Sequence, residues 1–488
     1  MLFNSIDFAF FLPVVFLLYW LINRQKVFLQ NLLLLAASYY FYGSWDVRFL
    51  ALLAFSTFLD YFSGLKIFEA ASLANKKIWL TISVLINVGF LAFFKYYNFF
   101  VESFAELLLH FGLKPNFTLL QIVLPVGISF YTFHGLSYVF DVYRDKIKPT
   151  NNLIDYSLFV SFFPLLVAGP IERATHLLPQ IQAPRSFDAA KFSDGLRQIL
   201  WGLFKKVIIA DNCAQYSGMV FNNYEQYSGG ALLIGAVFFM FEVYGDFSGY
   251  SDIALGTARL FGFELLQNFS FPYFSRNISE FWTRWHISLS SWFRDYVYIP
   301  LGGGRGSKWM KLRNVFIVFL LSGFWHGASF NRILWGALHA VFMVPIVLSP
   351  NASIKYKEIV AKGKLFPSFK ELLQVLSTFL LCTLALIVFR TTSVSDSIAY
   401  LKQIFLSVIS GKIIFQIADF WRSSVGVTPG LLLLIFIVWE WLTRTRKYAL
   451  EDFAKDKPLW LRWSIYFVLL AMLFLFANRS RQFIYFQF

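Results

Sequence analysis

Residues 281–340 begin with FWTRWHISLSSWFRDYVYIPLGG (281–303) and end with FWHGASFNRILWGALHA (324–340). This stretch holds three of the six histidines, His286, His326 and His339. Elsewhere long apolar runs dominate the chain, so these polar groups stand in apolar surroundings. Polar groups inside a membrane are costly, and those that occur there mark candidate functional positions.

The composition of the whole chain indicates a membrane protein. Its 488 residues are 58% hydrophobic and 20% aromatic, and only 15% are charged. This is too much apolar surface for a soluble domain. The formal net charge is +15, but the lysines and arginines cluster in short loops, as the positive-inside rule predicts. We therefore interpret the charge as a topology signal and expect the partner to be a lipid bilayer, with no nucleic acid.

Apolar runs long enough to cross or nearly cross a bilayer recur along the chain. They predict an all-α, polytopic integral membrane protein with about eleven transmembrane helices, plus re-entrant or in-plane helices where runs are short. No repeat is visible, and the longest polar segment, 351–371, is too short for a separate soluble domain, so residues 1–488 are expected to form a single membrane domain. We expect the basic loops to face the cytoplasm; they lie at 24–26, 66–77, 144–148, 305–313 and 444–457.

Three acidic residues lie inside an apolar run, at Glu242, Asp246 and Asp252. One interpretation is that Glu242 and Asp246 cap a broken helix or bind Arg259, and the other is direct contact with substrate. The nearby glycines permit either close helix packing or a break.

Residues 281–296 predict one amphipathic helix at a surface or along a cavity wall. On a helical wheel Arg284, Ser288, Ser291 and Asp295 form a polar stripe opposite the aromatic side. His286 lies at the boundary between the two faces. It is either part of a functional site or an incidental residue in an interfacial anchor.

His326 ends an apolar run and has Ser322, Gly323 and Gly327 as neighbours, with Trp325 beside it. We expect the glycines to leave the imidazole accessible to a substrate. Burial among aromatic rings favours the neutral form that a general base needs. The alternative is a histidine bonded to a neighbouring helix. His134 and His339 are interpreted as packing residues.

Several chemistries have no support in the sequence. We find no GxSxG, no HExxH and no P-loop, and the GGGRG at 302–306 is a very weak phosphate-binding signal. The two cysteines lack the spacing of a metal site, so no metal is expected.

The chain resembles the membrane-bound O-acyltransferase (MBOAT) family, and within it the bacterial alginate O-acetyltransferase-like branch. The resemblance rests on five segments that follow the family's order. They are LPVGISFYTFHGLSYVFDVYR (124–144), FFPLLVAGPIER (162–173), DFSGYSDIALG (246–256) and the two segments quoted first. A less complete resemblance links the chain to the D-alanyl transferase of teichoic-acid modification.

This resemblance implies acyl transfer from a cytoplasmic thioester through a central tunnel to an acceptor on the other side. It places the family's signature histidine at His326 and a second signature polar residue at His286, and we predict both to be catalytic. We expect their neighbours to bind the donor, acetyl-CoA; these are Trp325, Arg284, Trp285, Arg294 and Asp295. The basic loop at 305–313 either holds the phosphates of coenzyme A or only fixes topology.

We therefore expect a multi-pass protein of the bacterial cytoplasmic (inner) membrane that O-acetylates an exported polysaccharide, with a periplasmic or surface SGNH-type acetyltransferase as partner. Tyr485, in an aromatic C-terminal tail, is a candidate acyl relay, or the tail simply packs on the membrane face. The competing functions are D-alanyl transfer to teichoic acid and a proton-coupled transporter.

Overall fold

The computed structural model describes residues 1–113, 120, 122–167, 169–349, 358–422, 427–453, 455 and 457–476. Across those ranges every regular element is a helix, and none is a strand. The prediction of an all-α fold is confirmed.

The chain divides into two compact units. Unit 1 comprises residues 1–195 and 257–266, and unit 2 comprises residues 196–256 and 267–488. The expected single membrane domain stays a prediction. The helices that lie in unit 1 are α1 (Ile6–Leu21), α2 (Val27–Gly43), α3 (Arg48–Glu69), α4 (Leu73–Leu91), α5 (Tyr97–His110), α6 (Ile128–Tyr143), α7 (Leu153–Ser161), α8 (Phe163–Leu166) and α9 (Ala174–Gln182).

Unit 2 holds most of α12 and all of the later helices. The helices from the unit boundary onwards are α10 (Ala189–Leu203), α11 (Asp211–Asn222), α12 (Gly229–Leu260), α13 (Ile278–Arg284), α14 (Ile287–Phe293), α15 (Lys308–His326), α16 (Phe330–Leu348), α17 (Phe369–Arg390), α18 (Val394–Ile409), α19 (Ile413–Arg422), α20 (Val427–Thr443) and α21 (Leu459–Phe476). Three π-helical segments continue α4, α10 and α14, at Ala92–Tyr96, Phe204–Ala210 and Arg294–Tyr298.

Six helical segments are long and apolar enough to cross a bilayer, and α18 with α19, bent by 107°, is a seventh candidate. The six are Arg48–Glu69, Leu73–His110, Gly229–Leu260, Phe330–Leu348, Phe369–Arg390 and Leu459–Phe476. The chain is therefore a multi-pass membrane protein. The count of about eleven crossings and the central tunnel stay predictions.

Close backbone contact holds α12 against the end of α10 and the π-helical segment that follows it. A Cβ on Gly249 would lie 2.8 Å from the carbonyl oxygen of Gly202, and a Cβ on Gly245 would lie 3.0 Å from that of Lys205. Of the two roles left open for these glycines, close packing is the one observed, because α12 is continuous through all 32 of its residues.

The helices α15 and α16 form a tight antiparallel hairpin that presents His326 at its turn. A Cβ on Gly323 would lie 2.3 Å from the carbonyl oxygen of Arg332, and a Cβ on Gly336 would lie 2.3 Å from that of Phe319. Only glycine allows two helices to approach this closely. The position of His326 therefore depends on a contact between two backbones.

Candidate active site

The predicted amphipathic helix over 281–296 is wrong, because the chain breaks at His286. The helix α13 ends at Arg284, and α14 begins at Ile287. Between them His286 has φ +43° and ψ 55°, in the left-handed region that side chains other than glycine rarely adopt. Residues 268–270 form hydrogen bonds with the backbone on both sides of this break. The Ser270 amide donates to the Arg284 carbonyl at 3.0 Å, and the Ile287 amide donates to the Asn268 carbonyl at 2.9 Å.

The side chain of Asn268 fastens the start of α14. Its Oδ1 accepts a hydrogen bond from Ser288 Oγ at 2.7 Å, and its Nδ2 donates to Ser251 Oγ at 3.2 Å. Ser288, expected on a polar stripe, is instead buried. No sequence pattern marks Asn268, since its role depends on a pairing between segments distant along the chain.

The imidazole of His286 is enclosed by aromatic rings. Its ring centroid lies 4.6 Å from that of Phe247, 6.5 Å from that of Phe269 and 6.1 Å from that of Trp325, and the residue is 1% exposed. Neither ring nitrogen has a hydrogen-bond partner among the residues that the structure describes. Burial lowers the pKa of His286 to about 3, so its imidazole is neutral at physiological pH.

Buried polar groups without partners are rare in folded proteins, and so are left-handed backbone conformations at residues other than glycine. His286 combines the two. Such features cluster at active sites and ligand clamps. The geometry therefore favours the functional interpretation of His286 over the interfacial anchor.

His326 is the last residue of α15 and is 6% exposed. Its ring centroid lies 4.8 Å from that of Trp325, 5.1 Å from that of Trp335 and 5.7 Å from that of Phe389. Because Trp325 also contacts His286, the structure brings the two predicted catalytic histidines to the same tryptophan ring.

The expectation that Gly323 and Gly327 open a route to His326 is wrong. A Cβ on Gly327 would lie 1.5 Å from Nη1 of Arg332, and Gly323 faces the backbone of the same arginine. Both glycines make room for α16 and its arginine side chain, so they do not leave open space beside His326.

His339 is a packing residue, as predicted. It is 2% exposed, its Nδ1 accepts a hydrogen bond from Trp282 Nε1 at 3.3 Å, and its ring lies 4.9 Å from that of Trp335. His134 is likewise buried and satisfied, since its Nε2 accepts from the Glu172 amide at 3.1 Å.

The predicted donor-binding residues occupy two different settings. Arg284 forms an ion pair with Glu280 at 2.9 Å, and Trp285 is buried with its ring stacked on that of Phe281. Arg294 is exposed and pairs with Asp295 at 2.8 Å, in the π-helical segment after α14. Their roles stay predictions. Tyr485 lies outside the described residues.

The acidic residues of α12 do not have the expected partners. The helix is unbroken, and Arg259 pairs with Asp194 and Glu264. Glu242 instead accepts a hydrogen bond from Ser217. The interpretation of a cap or an Arg259 pair is therefore wrong.

Two buried lysines bind the aspartates of α12. Lys206 lies 2.7 Å from Asp246 and 2.8 Å from Asp211, and Lys205 lies 2.6 Å from Asp252. The sequence pattern does not reveal the role of these lysines, because their carboxylate partners on α12 are distant along the chain. Buried charges need such pairing, since an unpaired one is strongly unfavourable.

A small cavity of about 20 Å³ borders part of this charge network. That volume suits about one water molecule. The lining includes Lys205, Asp252, Glu440, Asn268 and Phe269. Asn268 bonds the chain at the break, and Phe269 contacts the imidazole of His286. The same cavity is therefore lined by buried charges and by the residues that position His286.

The described part of the chain contains no group of three or more His, Cys, Asp or Glu side chains placed to hold a metal ion. Its central feature is a pair of buried imidazoles in an aromatic shell, joined through one tryptophan. Such a pair can supply a general base and a hydrogen-bond donor, the two groups that a transfer reaction at a carbonyl requires. The arrangement is therefore compatible with group-transfer chemistry.

Comparison with known proteins agrees with this class of site. The MBOAT, membrane-bound O-acyltransferase family matches residues 144–348. A peptidoglycan O-acetyltransferase of Helicobacter pylori is 32% identical, over 100% of this chain and 98% of its own length. The chain therefore belongs to the membrane-bound O-acyltransferase family, and it is an acyltransferase.

Further relatives narrow the kind of acceptor. A probable alginate O-acetylase of Pseudomonas aeruginosa is 40% identical over 443 residues, which is 90% of this chain and 80% of that protein. A teichoic acid D-alanyltransferase of Bacillus subtilis is 31% identical over 48% of this chain and 61% of its own length. Together these relatives support polysaccharide modification and confirm the resemblance to the alginate O-acetyltransferase-like branch.

Proposed function

We propose that this protein moves an acetyl group from cytoplasmic acetyl-CoA across the bacterial inner membrane for O-acetylation of an exported polysaccharide. The acceptor polymer is an alginate-like exopolysaccharide or a cell-wall glycan, and an SGNH-type acetyltransferase on the outer side is the protein partner. Two relatives that match over most of their length are named as an alginate O-acetylase and a peptidoglycan O-acetyltransferase. These names support the choice of an acetyl group and of a polysaccharide acceptor.

One observation carries the proposal: His286 is held in a left-handed conformation with both ring nitrogens buried and without partners among the described residues, and it shares Trp325 with His326. A neutral imidazole offers one N–H donor and one nitrogen acceptor. A group kept unsatisfied inside the fold is ready to bond a substrate atom that enters the site.

The reaction assigns a different task to each histidine. His326 takes the proton of the acceptor hydroxyl as its oxygen attacks the thioester carbonyl. The new C–O bond forms, the C–S bond breaks, and the proton passes to the departing thiolate of coenzyme A. His286 donates its N–H to the carbonyl oxygen, orienting the donor and stabilising the developing negative charge.

The donor enters from the end of α15 that lies farthest from His326. The helix has 19 residues and spans about 28 Å, with the basic loop at 305–313 at its start. This loop either binds the phosphates of coenzyme A or only fixes topology. Replacing the exposed Arg305 by Gln distinguishes these alternatives. If the loop binds the phosphates, the KM for acetyl-CoA should rise; if the loop only fixes topology, the KM should not change.

Tyr485 is proposed to receive the acetyl group or hand it to the partner, because a phenol is a chemically suitable acyl acceptor. A Tyr485→Phe variant removes only the hydroxyl. If the tail merely packs on the membrane, this variant acetylates the polymer as the wild type does.

D-alanyl transfer to teichoic acid is the second candidate, because the Bacillus subtilis relative matches nearly half of the chain. The acyl donor separates the two functions: only D-alanyl transfer requires an aminoacylated carrier protein. Family membership, in turn, favours a transferase over the proton-coupled transporter.

The test is transfer of radiolabelled acetyl groups by the full chain reconstituted in vesicles, with acetyl-CoA outside and the polymer and partner enclosed. We expect His326→Ala to reduce the rate by about 10²–10⁴-fold, the usual contribution of a general base, while the melting temperature stays near that of the wild type. His110→Ala is the control, because His110 is an exposed histidine on α5. Normal acetylation by His326→Ala would contradict the mechanism.

Two substitutions at His286 define its task. Asparagine keeps an N–H donor and tolerates left-handed backbone, whereas alanine has neither property. If His286→Asn retains substantial activity and His286→Ala does not, His286 orients or stabilises; equal losses indicate that it transfers a proton.

A further inference from the structure

A second, larger cavity of about 620 Å³ lies where α17 ends and α18 begins, beside the end of α11. Its volume is in the range of small-molecule sites. The lining is mostly polar and consists of Phe221, Asn222, Asn223, Tyr224, Glu225, Gln226, Arg390, Thr391, Thr392 and Asp396.

Arg390, the last residue of α17, is the cation of this cavity. Its guanidinium carbon lies 5.9 Å from the ring centre of Phe221 and 5.7 Å from that of Phe239. Within the described residues it forms no ion pair and no hydrogen bond. The two rings hold the guanidinium in place while its N–H groups remain available.

The acidic groups of the cavity do not neutralise Arg390. Asp396 caps α18: its Oδ2 accepts hydrogen bonds from Thr392 Oγ1 at 2.6 Å and the Ser393 amide at 3.1 Å. Its Oδ1 accepts from Tyr224 Oη at 3.2 Å. Glu225 is exposed and forms no ion pair with any cation in the described ranges. The lining thus contains the guanidinium of Arg390, whose N–H groups are available, together with Asp396, whose two carboxylate oxygens already accept hydrogen bonds.

The cavity lies at the same end of the helices as His326. Phe389, which precedes Arg390, contacts the His326 ring at 5.7 Å. Asn331, in the first turn of α16, donates to the Thr391 carbonyl at 2.8 Å. The basic loop at 305–313, expected to face the cytoplasm, is at the opposite end of α15. The cavity is therefore on the acceptor side of the reaction.

We propose that this cavity binds a carboxylate-bearing saccharide of the exported polymer, with Arg390 on the carboxylate. This inference rests on the proposed function, which supplies a polysaccharide acceptor. A guanidinium binds a carboxylate through two parallel hydrogen bonds, and amide and hydroxyl side chains bond sugar hydroxyls. The cavity contains both kinds of group, with the amides of Asn222, Asn223 and Gln226 around the arginine. It holds the polymer beside the point where the acetyl group leaves the protein.

Binding is measured with the full chain in nanodiscs, without acetyl-CoA, so that the result does not depend on catalysis. The probes are a mannuronate tetrasaccharide, a neutral mannotetraose of the same length, and a tetraglutamate peptide. The variants are Arg390→Gln, the matched control Lys402→Gln on the exposed side of α18, and His326→Ala.

We expect the uronate to bind the wild type at least about tenfold more tightly than the neutral sugar, since a charge-assisted pair is lost in the latter. Arg390→Gln should remove this preference, and Lys402→Gln and His326→Ala should keep it. Equal binding of both sugars by the wild type, an unchanged preference in Arg390→Gln, or peptide binding as tight as that of the uronate overturns the assignment. Loss of acetyl transfer in every preparation that still binds the uronate would instead count against the proposed function.

Discussion

Replacing Gly323 by alanine tests whether the backbone contact between α15 and α16 positions His326. The new Cβ would lie 2.3 Å from the Arg332 carbonyl oxygen, and ordinary contact begins at 3.4 Å. The difference, 3.4 minus 2.3, is 1.1 Å. Because the obstacle is backbone, one helix must move by about that distance; no side chain can rotate away.

Two opposing effects set the size of the result. Overpacking of this kind costs about 1–3 kcal/mol, and the higher helix propensity of alanine returns up to about 1 kcal/mol. A shift of about 1 Å in a reacting group lowers the rate by about a hundredfold. We therefore expect a modestly lower melting temperature together with a large loss of acetyl transfer.

Gly89→Ala is the matched control, because Gly89 is also helical and no heavy atom of another described element lies within 4 Å of the position that its Cβ would take. It should be neutral or slightly stabilising and keep full activity. Both variants are assayed in nanodiscs for melting temperature and for transfer of radiolabelled acetyl groups. If Gly323→Ala behaves as Gly89→Ala does, the contact does not position His326.

Two further predictions concern buried charge. The pKa of His286 is about 3 when folded, below the unfolded value of about 6.5, so the unfolded state gains the proton first as the pH falls. Its contribution to the free energy of unfolding is constant above about pH 6.5 and decreases below it by at most about 1.4 kcal/mol per pH unit. Chemical denaturation at about pH 7.5 and about pH 5 should therefore show that the wild type loses more free energy of unfolding than His286→Asn does. Equal losses in the two proteins would refute this. Lys206→Met removes the ammonium group that pairs with Asp211 and Asp246, and should lower the free energy of unfolding by about 3–5 kcal/mol. The triple variant that also carries Asp211→Asn and Asp246→Asn should recover most of this loss. A single variant as stable as the wild type would contradict the buried pairing.

Sequence alone is sufficient for the fold class, and it singles out the two histidines whose roles stay predictions. Long apolar runs have few physical solutions other than membrane helices, and an imidazole among apolar neighbours is conspicuous. What the sequence does not predict is the break at His286. A helical wheel assumes a continuous helix, and the groups that end this one come from Asn268 and Ser270, which lie 19 and 14 positions from Ile287 and Arg284, the residues that they bond.

The glycines and lysines mislead for a related reason. At Gly323 and Gly327 a missing side chain suggests empty space, but it is equally suited to close approach by a neighbouring helix. The sequence pattern does not indicate partners for Lys205 and Lys206, because their carboxylate partners on α12 are distant in sequence. The roles of the glycines and of the lysines both depend on which helices pack together, and the local sequence pattern does not predict this packing.

The 32-residue helix α12 has a consequence for how the enzyme responds to its lipids. It is about 48 Å long, well beyond the roughly 30 Å of a bilayer's hydrocarbon core. Most of its apolar length is enclosed by protein, whereas α21, with 18 residues, is almost entirely exposed. A change in bilayer thickness therefore acts through hydrophobic mismatch on peripheral helices such as α21. The depth of the lysine–aspartate pairs along α12 is set by the protein itself, because α12 is enclosed over most of its length.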